Sequence, residues 1–256
     1  MNRTGLVIAL VIAAVTGITF ALHPELDLAI ARPFYDPARQ TFPLVAHPVL
    51  RALRDAAMWV VVLLVAPAVI ALAVKLVWPF ARMLMPGRAA IFLVMTLILG
   101  PGLLVNLTLK EHWPRSRPID VPEFNGTERF VPWWDPRGAC PRNCSFVGGE
   151  SAGAFWTLAP AAVTPLPWRP LAYAAAVTFG AGVGAMRIVF GGHFFTDVVF
   201  AGVFIFLVTW MVHGVLYRWR ATRIADATVE HALERLSLPI YRVAAHIIAR
   251  TRRAPK

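Results

Sequence analysis

Charged residues are scarce in this chain, and their scarcity decides the class of protein. They make up 15% of the 256 residues, whereas hydrophobic residues make up 58%. Soluble globular domains carry about 25% charged residues, so this composition excludes an ordinary water-soluble fold. It predicts an integral membrane protein, and the length suits one membrane domain.

Cysteine is nearly absent as well. Cys140 and Cys144 are the only two. These thiols, even with His112 added, do not complete a tetrahedral set of ligands, so we predict no metal site. If the loop that carries them lies outside the cytoplasm, we expect the two cysteines to form a disulfide.

Acidic residues are few compared with basic ones. The chain has 14 Asp and Glu against 25 Lys and Arg, a formal net charge of +11. Much of the excess lies in residues 218–256, where arginines alternate with apolar residues at roughly helical spacing. This pattern indicates a basic amphipathic segment on anionic lipid, with a solvated tail as the alternative. No nucleic-acid recognition module accompanies it, so we do not expect nucleic acid as a partner.

The chain contains long runs of residues without charge. Residues 5–22, 56–74 and 89–109 contain no charged residue, and each run is long enough to cross a hydrocarbon core of about 30 Å. Three weaker segments, at 152–166, 171–186 and 194–217, are shorter, contain proline or carry charge. Their many small residues suit close helix packing in lipid. We predict an all-α integral membrane bundle of about six transmembrane helices.

The six predicted spans define the organisation of the chain. Residues 1–55 hold the first transmembrane helix and an outer loop, residues 56–217 the membrane core, and residues 218–256 a cytoplasmic tail. An even number of crossings puts both termini on one side, and that side carries 14 Lys and Arg against 11. The positive-inside rule then places the termini in the cytoplasm and the loops 23–55 and 110–151 on the outer side of the membrane. A cleavable signal peptide is the alternative reading of the first span.

His193 and two charged residues, Arg187 and Asp197, lie near the start of the last apolar run. If the chain is helical from His193, then Asp197 lies on the same face and can orient the imidazole, which is how a histidine nucleophile is built. Gly191 and Gly192 predict a break in the helix that lets Arg187 fold back toward the ring. An ordinary histidine at a membrane interface is the alternative.

Two further segments carry candidate anion-binding groups. Lys110 and Arg117 are seven residues apart and can aim at the same anion, although snorkelling at the interface would also explain them. Gly148 and Gly149 precede a predicted helix start, where backbone N–H groups can approach an oxyanion. Glu150 then acts either as a general acid with a raised pKa or as a helix-start acid.

Taken together, the three segments resemble a known family. Lys110-x6-Arg117-Pro118, the glycine-rich turn and Arg187-x5-His193-x3-Asp197 resemble the type 2 phosphatidic acid phosphatase and vanadium haloperoxidase superfamily, over about residues 56–217. The resemblance implies a six-helix membrane bundle that requires no metal or other cofactor. It implies that Lys110, Arg117 and Arg187 bind phosphate, that His193 forms a phosphohistidine, and that Asp197 orients His193.

The chain departs from the family pattern at two places. The middle motif of the family usually reads Pro-Ser-Gly-His, whereas this chain has Val147-Gly148-Gly149-Glu150, and Met186 replaces the serine before Arg187. The first change removes a hydroxyl that donates to phosphate and the histidine that protonates the leaving alcohol, which leaves Glu150 as the substitute. A glutamate at this turn, with a cysteine-containing loop, is similar to some bacterial lipid A phosphatases.

We therefore predict a metal-independent phosphoric monoester hydrolase whose partners are the lipid bilayer and a lipid phosphate. Lipid A is slightly favoured over undecaprenyl pyrophosphate, phosphatidylglycerol phosphate and phosphatidic acid. A haloperoxidase would use similar residues, but the membrane spans argue against it. A lipid-binding or transport protein that has lost catalysis is the non-enzymatic alternative. The sequence does not indicate the oligomeric state.

Overall fold

The predicted fold class is confirmed. A computed structural model describes the backbone of residues 1–253 and the side chains of residues 1–239, 241 and 242. In that part of the chain the regular structure is helical, apart from an isolated antiparallel bridge between Asp36 and Thr41.

The helices are numbered here in chain order. They are α1 (Arg3–Leu22), α2 (Glu25–Ala31), α3 (Pro48–Val77), α4 (Gly87–His112), α5 (Gly149–Phe155), α6 (Leu158–Val163), α7 (Arg169–Val189), α8 (Phe195–Arg218) and α9 (Asp226–Arg253). The turns of α4 widen to a π-helix over Ile98–Leu109, around Pro101, because proline has no N–H for the regular ladder.

Five helices within residues 1–253 are long and apolar enough to cross a membrane, namely α1, α3, α4, α7 and α8. The predicted span at 152–166 is not one helix, because α5 ends at Phe155 and α6 begins at Leu158. Pro160 cannot donate to the carbonyl of Trp156, which instead accepts a hydrogen bond from Ala159 N–H at 2.8 Å. The predicted count of about six transmembrane helices is therefore not confirmed.

The chain forms two compact units. The first comprises Met1–Val62 and Thr96–Met211, and the second comprises Leu63–Met95 and the chain from Val212. Within the second unit, Lys75 Nζ donates to Glu234 Oε1 (2.6 Å) and Arg88 N–H donates to Asp226 Oδ1 (3.0 Å). These bonds attach α9, which covers most of the predicted basic tail, to the ends of α3 and α4 in that unit. Its side chains from residue 243 onward lie outside the described residues.

In the first unit, the two predicted outer loops pack into one layer. The layer has a buried apolar cluster of Ala31, Phe42, Val121, Phe124 and Phe194, and Ile119 N–H donates to the Gly191 carbonyl at 3.0 Å. The loop 23–55 is shorter than predicted, because it contains α2 and because α3 begins at Pro48, a residue type that suits a first helical turn. The predicted site residues lie at this layer.

Candidate active site

His193 lies in the short turn between α7 and α8 and is 2% exposed. Its Nδ1 is 2.7 Å from the Ser145 carbonyl oxygen. A carbonyl oxygen can only accept, so Nδ1 carries the proton and Nε2 keeps its lone pair. Burial lowers the pKa of His193 to about 4, and the charges of Lys110 and Arg187 act in the same direction. The imidazole is therefore neutral at pH 7, as a nucleophile must be.

Asp197 reaches His193 through Ser145 rather than by a short direct contact. Its Oδ2 is 3.8 Å from Nδ1 of His193, and it accepts hydrogen bonds from Ser145 Oγ (2.5 Å) and Phe194 N–H (2.8 Å). Ser145 thus holds the ring with its carbonyl and the carboxylate with its hydroxyl. The sequence predicts the His193 and Asp197 pair from its four-residue spacing, but that spacing carries no sign of Ser145.

Arg115 and Asp27 extend this network, and the sequence predicts neither. Arg115 is fully buried and donates from Nη1 to Asp197 Oδ1 (2.6 Å) and from Nη2 to Asp27 Oδ2 (2.7 Å). Asp27 also accepts from the N–H and the hydroxyl of Thr196, at 3.0 and 2.6 Å. Burial raises the pKa of the Asp27 carboxyl. The charge of Arg115 acts in the opposite direction but does not cancel the rise. One guanidinium therefore joins α2 to the first turn of α8.

Arg187 folds back as the sequence predicts. Helix α7 ends at Val189, Gly191 has a φ of 65°, and Gly192 N–H donates to the Arg187 carbonyl at 2.9 Å. A Cβ on Gly192 would lie 2.5 Å from Arg187 Nη2, so the guanidinium occupies the space that a larger residue would fill. The predicted helix break at Gly191 and Gly192 is confirmed.

Lys110 and Arg117 both contact the loop that precedes α5. Lys110 Nζ donates to the Cys144 carbonyl (3.4 Å), and Arg117 Nη2 donates to the Asn143 carbonyl (2.6 Å). Arg117 is near enough for its charge to act on Lys110 and Arg187. A disulfide joins Cys140 to Cys144 in this loop, and Cys144 N–H donates to the Lys110 carbonyl at 3.0 Å. The loop is therefore attached to the end of α4 through both the side chain and the backbone carbonyl of Lys110.

Glu150 is paired with Arg54, a residue of α3 that the sequence does not single out. Arg54 donates from Nε to Oε2 (2.8 Å) and from Nη2 to Oε1 (2.5 Å), and Arg187 Nε lies 3.8 Å from Oε2. Burial alone would raise the pKa of Glu150, but the Arg54 bonds and the Arg187 charge outweigh it and hold the pKa below its ordinary value. Glu150 is therefore ionised at pH 7.

The glycine turn differs from its predicted role in one respect. Gly148 N–H donates to the Asp197 carbonyl at 3.2 Å, so this N–H is not available to bind an anion as the sequence predicts. Gly149 lies beside the side chain of Lys110. A Cβ built on Gly149 would be 3.4 Å from Lys110 Cδ. Gly148 contributes the space left by its missing side chain, beside the ring of His193.

The described residues contain no group of three or more His, Cys, Asp or Glu side chains that could hold a metal ion. What they bring together is a neutral imidazole with a free Nε2 and the cations Lys110, Arg117 and Arg187. Such a set can bind a phosphate, attack its phosphorus and balance the charge that develops on its oxygens.

Comparison with known proteins agrees with this geometry. The PAP2 superfamily model matches residues 89–225. A lipid A 4'-phosphatase of Francisella tularensis subsp. novicida (strain U112) is 35% identical over 220 residues, which cover 85% of this chain and 98% of that protein. A lipid A 4'-phosphatase of Rhizobium leguminosarum is 42% identical over 104 residues, 41% of this chain and 45% of that protein.

A solved structure shows the same fold. The crystal structure of the transmembrane PAP2 type phosphatidylglycerolphosphate phosphatase from Bacillus subtilis aligns with a TM-score of 0.50 and 21% identity, over 85% of this chain and 98% of that one. With the family match over more than half of its length and a relative similar over most of it, this chain belongs to the PAP2 superfamily.

Proposed function

We propose that this protein is a membrane lipid phosphatase that removes the 4'-phosphate of lipid A. The observation that carries the proposal is the neutral His193, whose Nδ1–H is held by the Ser145 carbonyl beside Lys110 and Arg187. The choice of lipid A rests on the relatives, since the Francisella protein of that activity is similar over 98% of its own length. The Glu150 turn and the Cys140 to Cys144 loop favour the same choice.

The reaction proceeds in two steps. In the first, Nε2 of His193 attacks phosphorus, the bond from phosphorus to the lipid oxygen breaks, and a phosphohistidine forms. Lys110, Arg117 and Arg187 bind the equatorial oxygens, where the negative charge is spread. In the second, water attacks phosphorus, the N–P bond breaks, and inorganic phosphate leaves. Asp197, through Ser145, stabilises the positive charge on the ring during both steps.

Glu150 is the group we propose as the donor of a proton to the leaving lipid oxygen. The ion pair with Arg54 opposes this role because it keeps the carboxyl ionised. A phosphate dianion that enters beside Arg187 competes for Arg54 and repels the carboxylate, and both effects raise the pKa of Glu150. The role therefore requires that Arg54 releases Glu150 when phosphate binds.

We propose further that the site faces the periplasm from a bacterial inner membrane. The greater number of Lys and Arg on the opposite side supports this orientation, and so does the disulfide, because such bonds persist in oxidising compartments. Membrane-impermeant thiol labelling of Arg39→Cys and Ala221→Cys, both at exposed positions, tests it. In intact spheroplasts we expect the first variant to be labelled and the second not, and the reverse pattern would contradict the orientation.

Phosphate release from a panel of lipids tests the activity. Purified protein in detergent is given lipid A, undecaprenyl pyrophosphate, phosphatidylglycerol phosphate and phosphatidic acid, with and without EDTA. We expect the fastest release from lipid A, no effect of EDTA, and a loss of several orders of magnitude in His193→Ala. Release from another lipid alone would reassign the substrate. Lipid binding without release would make this a binding or transport protein.

A further inference from the structure

Ser151 carries a buried hydroxyl that is unpaired in the part of the chain that the structure describes. The residue lies on α5 and is 0% exposed, and its Oγ has no hydrogen-bond partner among the described residues. Buried polar side-chain atoms nearly always have a partner, because leaving one unpaired is costly. The mechanism described above makes no use of this hydroxyl. A partner supplied from outside the protein would account for it.

The hydroxyl borders the space in which His193 reacts. A Cβ built on Gly148 would lie 2.9 Å from Ser151 Oγ and 3.5 Å from Cδ2 of His193. Cδ2 is bonded to Nε2, the nitrogen that attacks phosphorus. The missing side chain of Gly148 therefore leaves a gap between the hydroxyl and the reacting edge of the imidazole.

We propose that Ser151 Oγ donates a hydrogen bond to an oxygen of the phosphoryl group while that group is transferred to His193. The proposal rests on the phosphatase function given above. It makes Ser151 a catalytic residue that binds the transferred group, and it requires no proton transfer from the hydroxyl.

The same geometry explains the glycine at 148. The family pattern has a phosphate-binding hydroxyl at that position, and this chain has none. A serine at 148 would place its Cβ 2.9 Å from Ser151 Oγ, so the Ser151 hydroxyl would have to turn away from its present position. In this chain the hydroxyl belongs to Ser151, which lies three residues later in the chain, on α5.

The test compares Ser151→Ala with the double variant Gly148→Ser/Ser151→Ala, which moves the hydroxyl back to position 148. Ser237→Ala is the matched control, because its buried hydroxyl donates to the Glu234 carbonyl in the second unit. Each protein is assayed for kcat/KM on the lipid phosphate that the panel identifies as the substrate. The dissociation constant of inorganic phosphate is measured as well. Thermal unfolding midpoints establish that each variant is folded.

We expect Ser151→Ala to lower kcat/KM by about 10- to 100-fold, the size of a lost hydrogen bond to a charged group, and to weaken phosphate binding. The double variant should recover part of both losses, and Ser237→Ala should change neither. If Ser151→Ala leaves kcat/KM and phosphate affinity unchanged, the proposal is wrong. It is also wrong if activity falls while phosphate affinity stays the same and the double variant recovers nothing.

The outcomes separate this proposal from the phosphatase function. Wild-type protein that releases phosphate, with Ser151→Ala indistinguishable from it, would overturn only the role of Ser151. Wild-type protein that releases no phosphate from any lipid, yet binds inorganic phosphate more tightly than Ser151→Ala does, would overturn the function and leave the binding role of Ser151 in place.

Discussion

The role of Glu150 can be decided by one substitution and two substrates. Glu150→Gln keeps the shape of the side chain and one acceptor for Arg54, but it cannot transfer a proton. A lipid phosphate has a poor alkoxide leaving group that needs protonation, whereas p-nitrophenyl phosphate has a good one that needs little. A general acid is therefore required for the first substrate and almost dispensable for the second.

Glu150→Gln also weakens the ion pair with Arg54, and the exposure of that pair sets how much a loss of positioning can lower the rate. The Arg54 and Glu150 side chains are 39% and 22% exposed, and an ion pair of this exposure contributes about 1 kcal/mol or less, which is about fivefold in rate. Any loss of positioning should therefore stay below about fivefold and should be the same for both substrates. Loss of proton donation should lower turnover of the lipid by about 10²- to 10⁴-fold.

The assay is kcat/KM on both substrates for wild type, Glu150→Gln and the control Arg54→Gln. The control removes the same ion pair but leaves the carboxyl that donates the proton, so we expect no large fall on either substrate. A large fall on the lipid alone in Glu150→Gln is the result our proposal predicts. Equal falls on both substrates would refute proton donation and leave Glu150 as a residue that positions Arg54 and Arg187.

Three other predictions concern the scaffold of the site. Replacing Arg115 with Met leaves the Asp27 carboxylate buried without its cation, so the free energy of unfolding should fall by about 3 to 5 kcal/mol. The exposed Arg137→Met serves as the control, and an equal change in unfolding midpoint in both would contradict the network. NMR of the His193 ring should show protonation with a midpoint at a pH of about 4 instead of 6.5, because burial lowers the pKa of this imidazole. The unfolded chain takes up this proton first, so stability should fall as the pH drops between those values, and a midpoint near 6.5 would contradict the buried ring. Replacing Cys140 and Cys144 with Ser should cost about 2 kcal/mol of stability, as expected for so short a loop, and should lower kcat/KM because the loop holds Ser145. Unchanged kcat/KM would show that the loop keeps its place without the bond.

The sequence predicts the arrangement of Arg187, His193 and Asp197 because these residues are near one another in the chain. His193 and Asp197 are four residues apart, and the two glycines that turn Arg187 back follow it within five residues, so local spacing was sufficient. Arg54 bonds a residue 96 positions away, and Arg115 bonds Asp27 at a separation of 88. Nothing in the local pattern of α2 or α3 distinguishes these residues from ordinary charges at a membrane interface.

The segment predicted as a span at 152–166 is not one helix, for a local reason. Hydropathy and small residues marked 152–166 as a span, but they do not report that Pro160 removes a hydrogen bond from the helix. Ser145 was missed for a different reason. Its carbonyl, a group that every residue has, holds the imidazole, so the identity of the side chain gave no signal for that contact.

Trapping the covalent intermediate tests the central claim most directly. Wild-type protein is mixed with lipid A labelled in the 4'-phosphate, the reaction is stopped with alkali during the first turnover, and the label is located by peptide mapping. We predict label on His193 that is stable in alkali and released by acid, at no more than one phosphate per chain, and none in His193→Ala. Turnover of lipid A with no label on His193, or turnover at the wild-type rate in His193→Ala, would contradict the account.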